Sequence, residues 1–149
     1  MSWVRNLLVS FGAYWLSLEI SVVFAWLFLS LTNGIVYRQS VLSAIAMGLW
    51  ISMGRAVAAA FAGALVTFLA ASKRPERWAF VVAILYVVDS QWRHHWYLPP
   101  TAWDRVWQGV DLLWPAIACV AAALVTARLR QKAKSAADAA SRVSTGNLG

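Results

Sequence analysis

Residues 7–31 read LLVSFGAYWLSLEISVVFAWLFLSL, an apolar run whose one charge is Glu19. A helix of about 20 residues, rising about 1.5 Å each, crosses the ~30 Å hydrocarbon core of a bilayer. The run therefore reads as a transmembrane helix. Arg5 ahead of it could serve as the basic start of a secretory signal. The apolar stretch is too long for one, however, and ends in Leu31-Thr32-Asn33-Gly34 without a small-x-small cleavage pattern. The segment is expected to stay in the membrane.

Three further blocks follow. Residues 41–71 carry one charge, Arg55, and residues 109–127 carry one, Asp111, near their start. Residues 78–88 are apolar but run into Asp89-Ser90-Gln91-Trp92-Arg93-His94-His95. This third block spans only if its helix continues through the polar stretch towards Leu98; the alternative is a three-span protein with that block on the surface. The expected fold is an all-α integral membrane protein. Its four transmembrane helices lie at about 7–31, 41–71, 76–98 and 107–127, forming one bundle over residues 1–127. A basic, partly disordered cytoplasmic tail, 128–149, follows it.

Composition agrees. Of 149 residues, 61% are hydrophobic and 13% charged, with a mean hydropathy of +0.62; soluble domains carry about a quarter charged residues. One cysteine, Cys119, excludes an intrachain disulfide and a cysteine-based metal site. No glycine-rich phosphate loop is present. The net charge of +7 and pI near 10.3 come from basic residues flanking the apolar blocks. That distribution sets membrane orientation and does not suggest a nucleic-acid partner.

With four spans, Arg5, Lys73, Arg74, Arg77, Arg128, Arg130, Lys132, Lys134 and Arg142 fall on one side, against Arg38, Arg93 and Arg105 on the other. Both termini are thus expected in the cytoplasm, with a bacterial inner membrane as the expected location. Trp3 and Trp78 sit at the inner interface, and Trp92, Trp96, Trp103 and Trp107 at or near the outer one, where indole rings prefer the headgroups. The outer connection between helices 3 and 4 is Trp-rich and turns at Pro99-Pro100. The cluster from Arg128 to Lys134 can attract anionic lipid. Residues 136–140 could prolong the last helix for a few turns, and residues 144–149 are expected to be disordered.

Ionisable groups at membrane depth cost several kcal/mol unless paired or wetted. Glu19 lies about 18 Å into the first block at 1.5 Å per residue. Arg55 lies near the middle of the second, on an adjacent antiparallel helix, so an intramembrane Glu19–Arg55 pair is expected, with Asp89 as rival partner for Arg55. Gly12, Trp15, Glu19 and Trp26 share one face of the first helix; Ser10, Tyr14, Ser17 and Ser21 form a stripe on the opposite one. Arg55 shares its face with Gly48, Ala59 and Ala62, small residues that allow close helix approach. Two polar faces on one helix suggest protein on both sides of it, hence a homo-oligomer or partner subunit.

Asp89 falls near the midplane, and Arg93 four residues on could pair with it. Asp111 lies four residues before Pro115, which leaves the Asp111 carbonyl without its helical donor. Glu19, Asp89, Arg93 and Asp111 are candidate members of an ion or proton path. His94 and His95 point about 100° apart on a helix, so they cannot be opposed axial ligands of one haem, and no other histidine exists. They are a candidate outer-face metal or pH-sensitive pair. No cofactor is expected.

Three functions compete. The first is a non-catalytic subunit or accessory component of a larger membrane complex, because paired charges and small-residue faces suit assembly and no catalytic motif is present. The second is a small oligomeric transporter or channel using Glu19, Asp89 and Asp111. Glu19 in the first of four spans resembles the small multidrug resistance family, where a first-helix glutamate binds cation and proton. This chain is longer, and Arg55 would tend to neutralise that glutamate. The third is an intramembrane hydrolase. The stretch from Val87-Val88-Asp89 to Val110-Asp111 and on through Ala123 is loosely similar to the end of lipoprotein signal peptidase. That resemblance implies four spans, cytoplasmic termini and an Asp89/Asp111 catalytic dyad sharing a proton. The Asn-x-x-Asp-Arg and Phe-Asn-x-Ala-Asp patterns of that family are absent.

Overall fold

A computed structural model describes residues 2–31, 41–95 and 102–146. All four elements among the described residues are helices: α1 Ser2–Leu31, α2 Val41–Leu69, α3 Glu76–His95 and α4 Ala102–Gly146. Three contain stretches long and apolar enough to cross a membrane, Trp3–Leu31, Gly48–Leu69 and Gly109–Ala139. The polar end of α3, from Asp89 to His95, keeps that helix out of the same class. Pro99-Pro100 and Trp96 lie outside the described residues, as do the side chains of Arg93, His94, His95, Trp103 and Trp107.

Contacts along each helix pair give the directions. Asn6 meets Ala71 at one end while Phe24 meets Trp50 towards the other, so α1 and α2 are antiparallel. Ser10 meets Trp78 and Ser17 meets Tyr86, so α1 and α3 run the same way. Arg55 meets Asp111 and Gly63 meets Cys119, so α2 and α4 also run the same way. Around the bundle the order is α1, α2, α4, α3, with α2 and α3 in contact across the middle; α1 and α4 share no extended contact. Thus α3 lies alongside its neighbours within the bundle and not across one end of it.

The packing is inverted relative to a water-soluble bundle. Its core is Ala13, Ala59, Ala62, Val66, Ala79, Val82, Tyr86, Cys119 and Ala123, mostly small side chains. Asn6, Ser10, Ser17, Ser52, Thr67 and Ser90 are buried as well, while Trp15, Phe61, Phe68, Ile84, Ile117 and Val125 face outward. Large apolar groups outside and small or polar groups inside suit lipid, where association rests on close packing and interhelical hydrogen bonds. Ala59 and Gly63 on α2 face Cys119 and Ala123 on α4, a small-xxx-small pattern on each helix. A Cβ on Gly63 would collide with the Cys119 carbonyl.

Polar groups fasten the helices where they cross. The Ser17 hydroxyl donates to the Tyr14 carbonyl at 2.5 Å and accepts from the Tyr86 hydroxyl. Ser10 donates to the Asn6 carbonyl at 2.9 Å and leans on the Trp78 carbonyl at 3.4 Å. Trp50 Nε1 donates to the Phe24 carbonyl at 2.9 Å. The α2 C-terminus, whose last carbonyls have no helical partner, is closed by other elements. Arg130 of α4 donates to the Thr67 carbonyl at 2.5 Å and sits over the Phe68 ring, and Asn6 Oδ1 accepts from Ala71 N–H at 3.0 Å. Pro75 and Glu76 then start α3, where a missing N–H costs nothing and a carboxylate complements the helix dipole.

The end of α4 departs from the expected tail. The helix runs unbroken from Ala102 through Pro115 to Gly146, 45 residues, with 128–139 exposed. Residues 128–146 are rich in alanine, arginine and lysine, good helix formers, so nothing stops the helix at the bundle's edge.

Candidate functional site

The bundle's charged centre lies where α2 and α4 cross. Arg55 Nη1 donates to Asp111 Oδ2 at 2.5 Å, with side-chain exposures of 18% and 29%. This corrects the expected Glu19–Arg55 pair, and Asp89 is not the partner either. The reason is the α2–α4 approach: Gly63 against Cys119 brings the two backbones close, and parallel helices in step from there carry Arg55 to the level of Asp111.

Glu19 instead projects from the outer surface of α1 and forms no ion pair with a described residue. It stands between Trp15 and Trp26, 67% and 69% exposed, on a face with Val22 and Val23. The serine stripe on the other side of α1 is the one that packs, against α3. Gly12 and Gly48 have open space where a Cβ would project, so of the small residues read beside Arg55, Ala59 and Ala62 are buried and Gly48 is not.

Beside Arg55 lies a cleft of about 320 Å³ between α1, α2 and α3. Leu18, Val22, Ala25 and Ile51 form its apolar walls; Ser21, Arg55 and Ser90 supply its polar edge. Ser90 is 2% exposed, and among the described residues its Oγ is the one buried side-chain oxygen or nitrogen without a hydrogen-bond partner. Ser21 donates to the Ser17 carbonyl at 2.8 Å, which leaves only its lone pairs towards the cleft.

Asp89 is half-buried next to Ser90 in sequence and is engaged with another group. With Asp111 given to Arg55, the carboxylate is committed to a cation, whereas a hydrolytic dyad needs it to share a proton with Asp89. Glu19 and Asp111 lie on α1 and α4, which share no extended contact. No group of three or more histidine, cysteine, aspartate or glutamate side chains able to hold a metal occurs among the described residues.

Ser90 escaped the sequence reading because a lone serine in a helix carries no signal until its neighbours are known. The Arg55–Asp111 pair had a readable trace. Gly63 stands eight residues after Arg55 and Cys119 eight residues after Asp111, which is the register of two parallel helices in contact.

Comparison with known proteins finds no matching family model, no significantly similar curated protein and no significantly similar solved structure.

Proposed function

We propose that this chain is a four-span protein of a bacterial inner membrane, both termini cytoplasmic, acting as a non-catalytic subunit or assembly component of a larger membrane complex. Glu19 carries this reading. A carboxylate on the outside of an apolar helix costs several kcal/mol in lipid unless a partner supplies charge or water. The one cation at that depth among the described side chains, Arg55, is already held by Asp111. The partner that fits is a transmembrane helix from another subunit carrying lysine or arginine, with Trp15 and Trp26 as contact surface and open Gly12 allowing close approach.

Four spans are supported by α3 lying within the bundle parallel to α1, and cytoplasmic termini by the excess of basic residues at the end where α2 meets α3. At that end Lys73, Arg74, Arg77, Arg128, Lys132 and Lys134 are exposed, a surface suited to anionic lipid. Reporter fusions at the two termini should give the same side; opposite sides would reduce the spans to three.

The subunit reading is tested with the tagged chain from its native membrane, carrying a photo-crosslinking residue at position 15, 23 or, as control, 125. Crosslinks to one membrane protein from positions 15 and 23, lost with Glu19→Gln, are expected. A chain that elutes as a clean monomer, with no crosslink from any position, overturns it.

A further inference from the structure

We propose that the cleft beside Arg55 binds an uncharged, largely apolar molecule through a carbonyl oxygen. The guanidinium has five N–H donors, and the bond from Nη1 to Asp111 is the one it makes with a described residue. Ser90 Oγ is buried beside the same cleft with its hydrogen unused. Beside the Ser21 lone pairs, the polar edge thus offers a charged donor and a buried hydroxyl donor, and the group that complements both is an acceptor.

Charge decides which acceptor. Arg55 and Asp111 already cancel, so an anionic ligand would leave a net negative charge at membrane depth, costing several kcal/mol. A hydrogen bond from a charged donor contributes less than that and would not offset the cost. A neutral carbonyl accepts the same bonds without adding charge. The walls of Leu18, Val22, Ala25 and Ile51 suit an apolar body, and about 320 Å³ holds a ring or a short chain. Val22, exposed on the outer side of α1, marks an opening towards the surrounding lipid. Two membrane sources share this chemistry: the ester carbonyl of an acyl lipid, and the carbonyl of a lipophilic quinone.

The test is equilibrium binding by titration calorimetry, using the full chain in a detergent without carbonyl groups. Methyl laurate and a decyl-substituted benzoquinone are the probes; dodecane and laurate are the controls. Saturable binding of one carbonyl probe per chain is expected, at least tenfold tighter than either control. The tighter probe identifies the source. Ser90→Ala should weaken binding roughly fivefold by deleting one neutral hydrogen bond, and Ala25→Phe should abolish it by filling the cleft. Circular dichroism and gel filtration check both variants for folding. Ser90→Ala also removes an unpartnered buried hydroxyl, so the fold tolerates it. Absence of saturable binding to folded wild-type protein overturns the proposal. So does tighter binding of laurate, or affinity unmoved by Ser90→Ala and Ala25→Phe. All these results are independent of whether Glu19 recruits a partner subunit.

Discussion

Arg55 of α2 and Asp111 of α4 are joined at 2.5 Å across two helices that run in the same direction, held in step by the close contact of Gly63 with Cys119. Each is mostly buried, and each neutralises the other at a depth where an unpaired charge is costly.

Breaking that pair from one side should be worse than removing it. Asp111→Asn is expected to cost about 3 kcal/mol by stranding the guanidinium, while Arg55→Met with Asp111→Leu should recover most of the loss. A double-mutant cycle on unfolding in detergent reads the coupling; strictly additive losses would show that the pair does not stabilise the bundle.

Glu19→Gln belongs to the opposite class. With its side chain outside the bundle and without a described ion-pair partner, it should move the stability of the isolated chain by no more than about 0.5 kcal/mol. A loss comparable to that of Asp111→Asn would place Glu19 in an internal pair.

Glycines should divide by what lies over them. Gly63→Ala drives a methyl into the Cys119 carbonyl and should cost about 1–3 kcal/mol, with the α2–α4 contact opening. Gly12→Ala meets open space and should be neutral or gain up to about 1 kcal/mol from helix propensity. Thermal unfolding of both variants checks the contrast, and equal effects would refute the close approach.

The Tyr86–Ser17 bond should be asymmetric. Tyr86→Phe removes a hydroxyl and leaves Ser17 its bond to the Tyr14 carbonyl, costing about 0.5–1 kcal/mol. Ser17→Ala leaves the Tyr86 hydroxyl buried without an acceptor and should cost more, about 1–3 kcal/mol. Adding Tyr86→Phe to Ser17→Ala should then restore stability; further loss would contradict the shared bond.

Arg130→Gln should loosen the end of α2, because it uncovers the Thr67 and Phe68 carbonyls and removes a cation from the helix C-terminus. Hydrogen exchange should quicken at Ala70 and Ala71, with about 1 kcal/mol lost overall. Unchanged protection there would mean that Asn6 alone closes the helix.

Much of the fold could be read before any coordinates. Residues 7–31 and 41–71 each exceed the length of a bilayer crossing, and α1 and α2 occupy Ser2–Leu31 and Val41–Leu69. The expected third span begins at about residue 76, where α3 starts, and the stripe of Ser10, Tyr14, Ser17 and Ser21 is a face that packs. The last helix was harder to bound. Loss of apolar residues after Ala127 signals departure from the membrane, but helix propensity there stays high and α4 continues to Gly146.

The sequence by itself marked out helices long and apolar enough to cross a membrane and which residues share a face on them, because apolar block length and 3.6-residue periodicity are local properties of the chain. It also named the charges that need an account: Glu19, Arg55, Asp89 and Asp111. Only the tertiary structure decided which charge Arg55 holds, which face of α1 turns outward, and that Ser90 is left without a partner beside a cleft. Periodicity says what shares a face, but not which neighbour that face meets. Here that choice rests on Gly63, whose lack of a side chain lets the α4 backbone at Cys119 come close to α2.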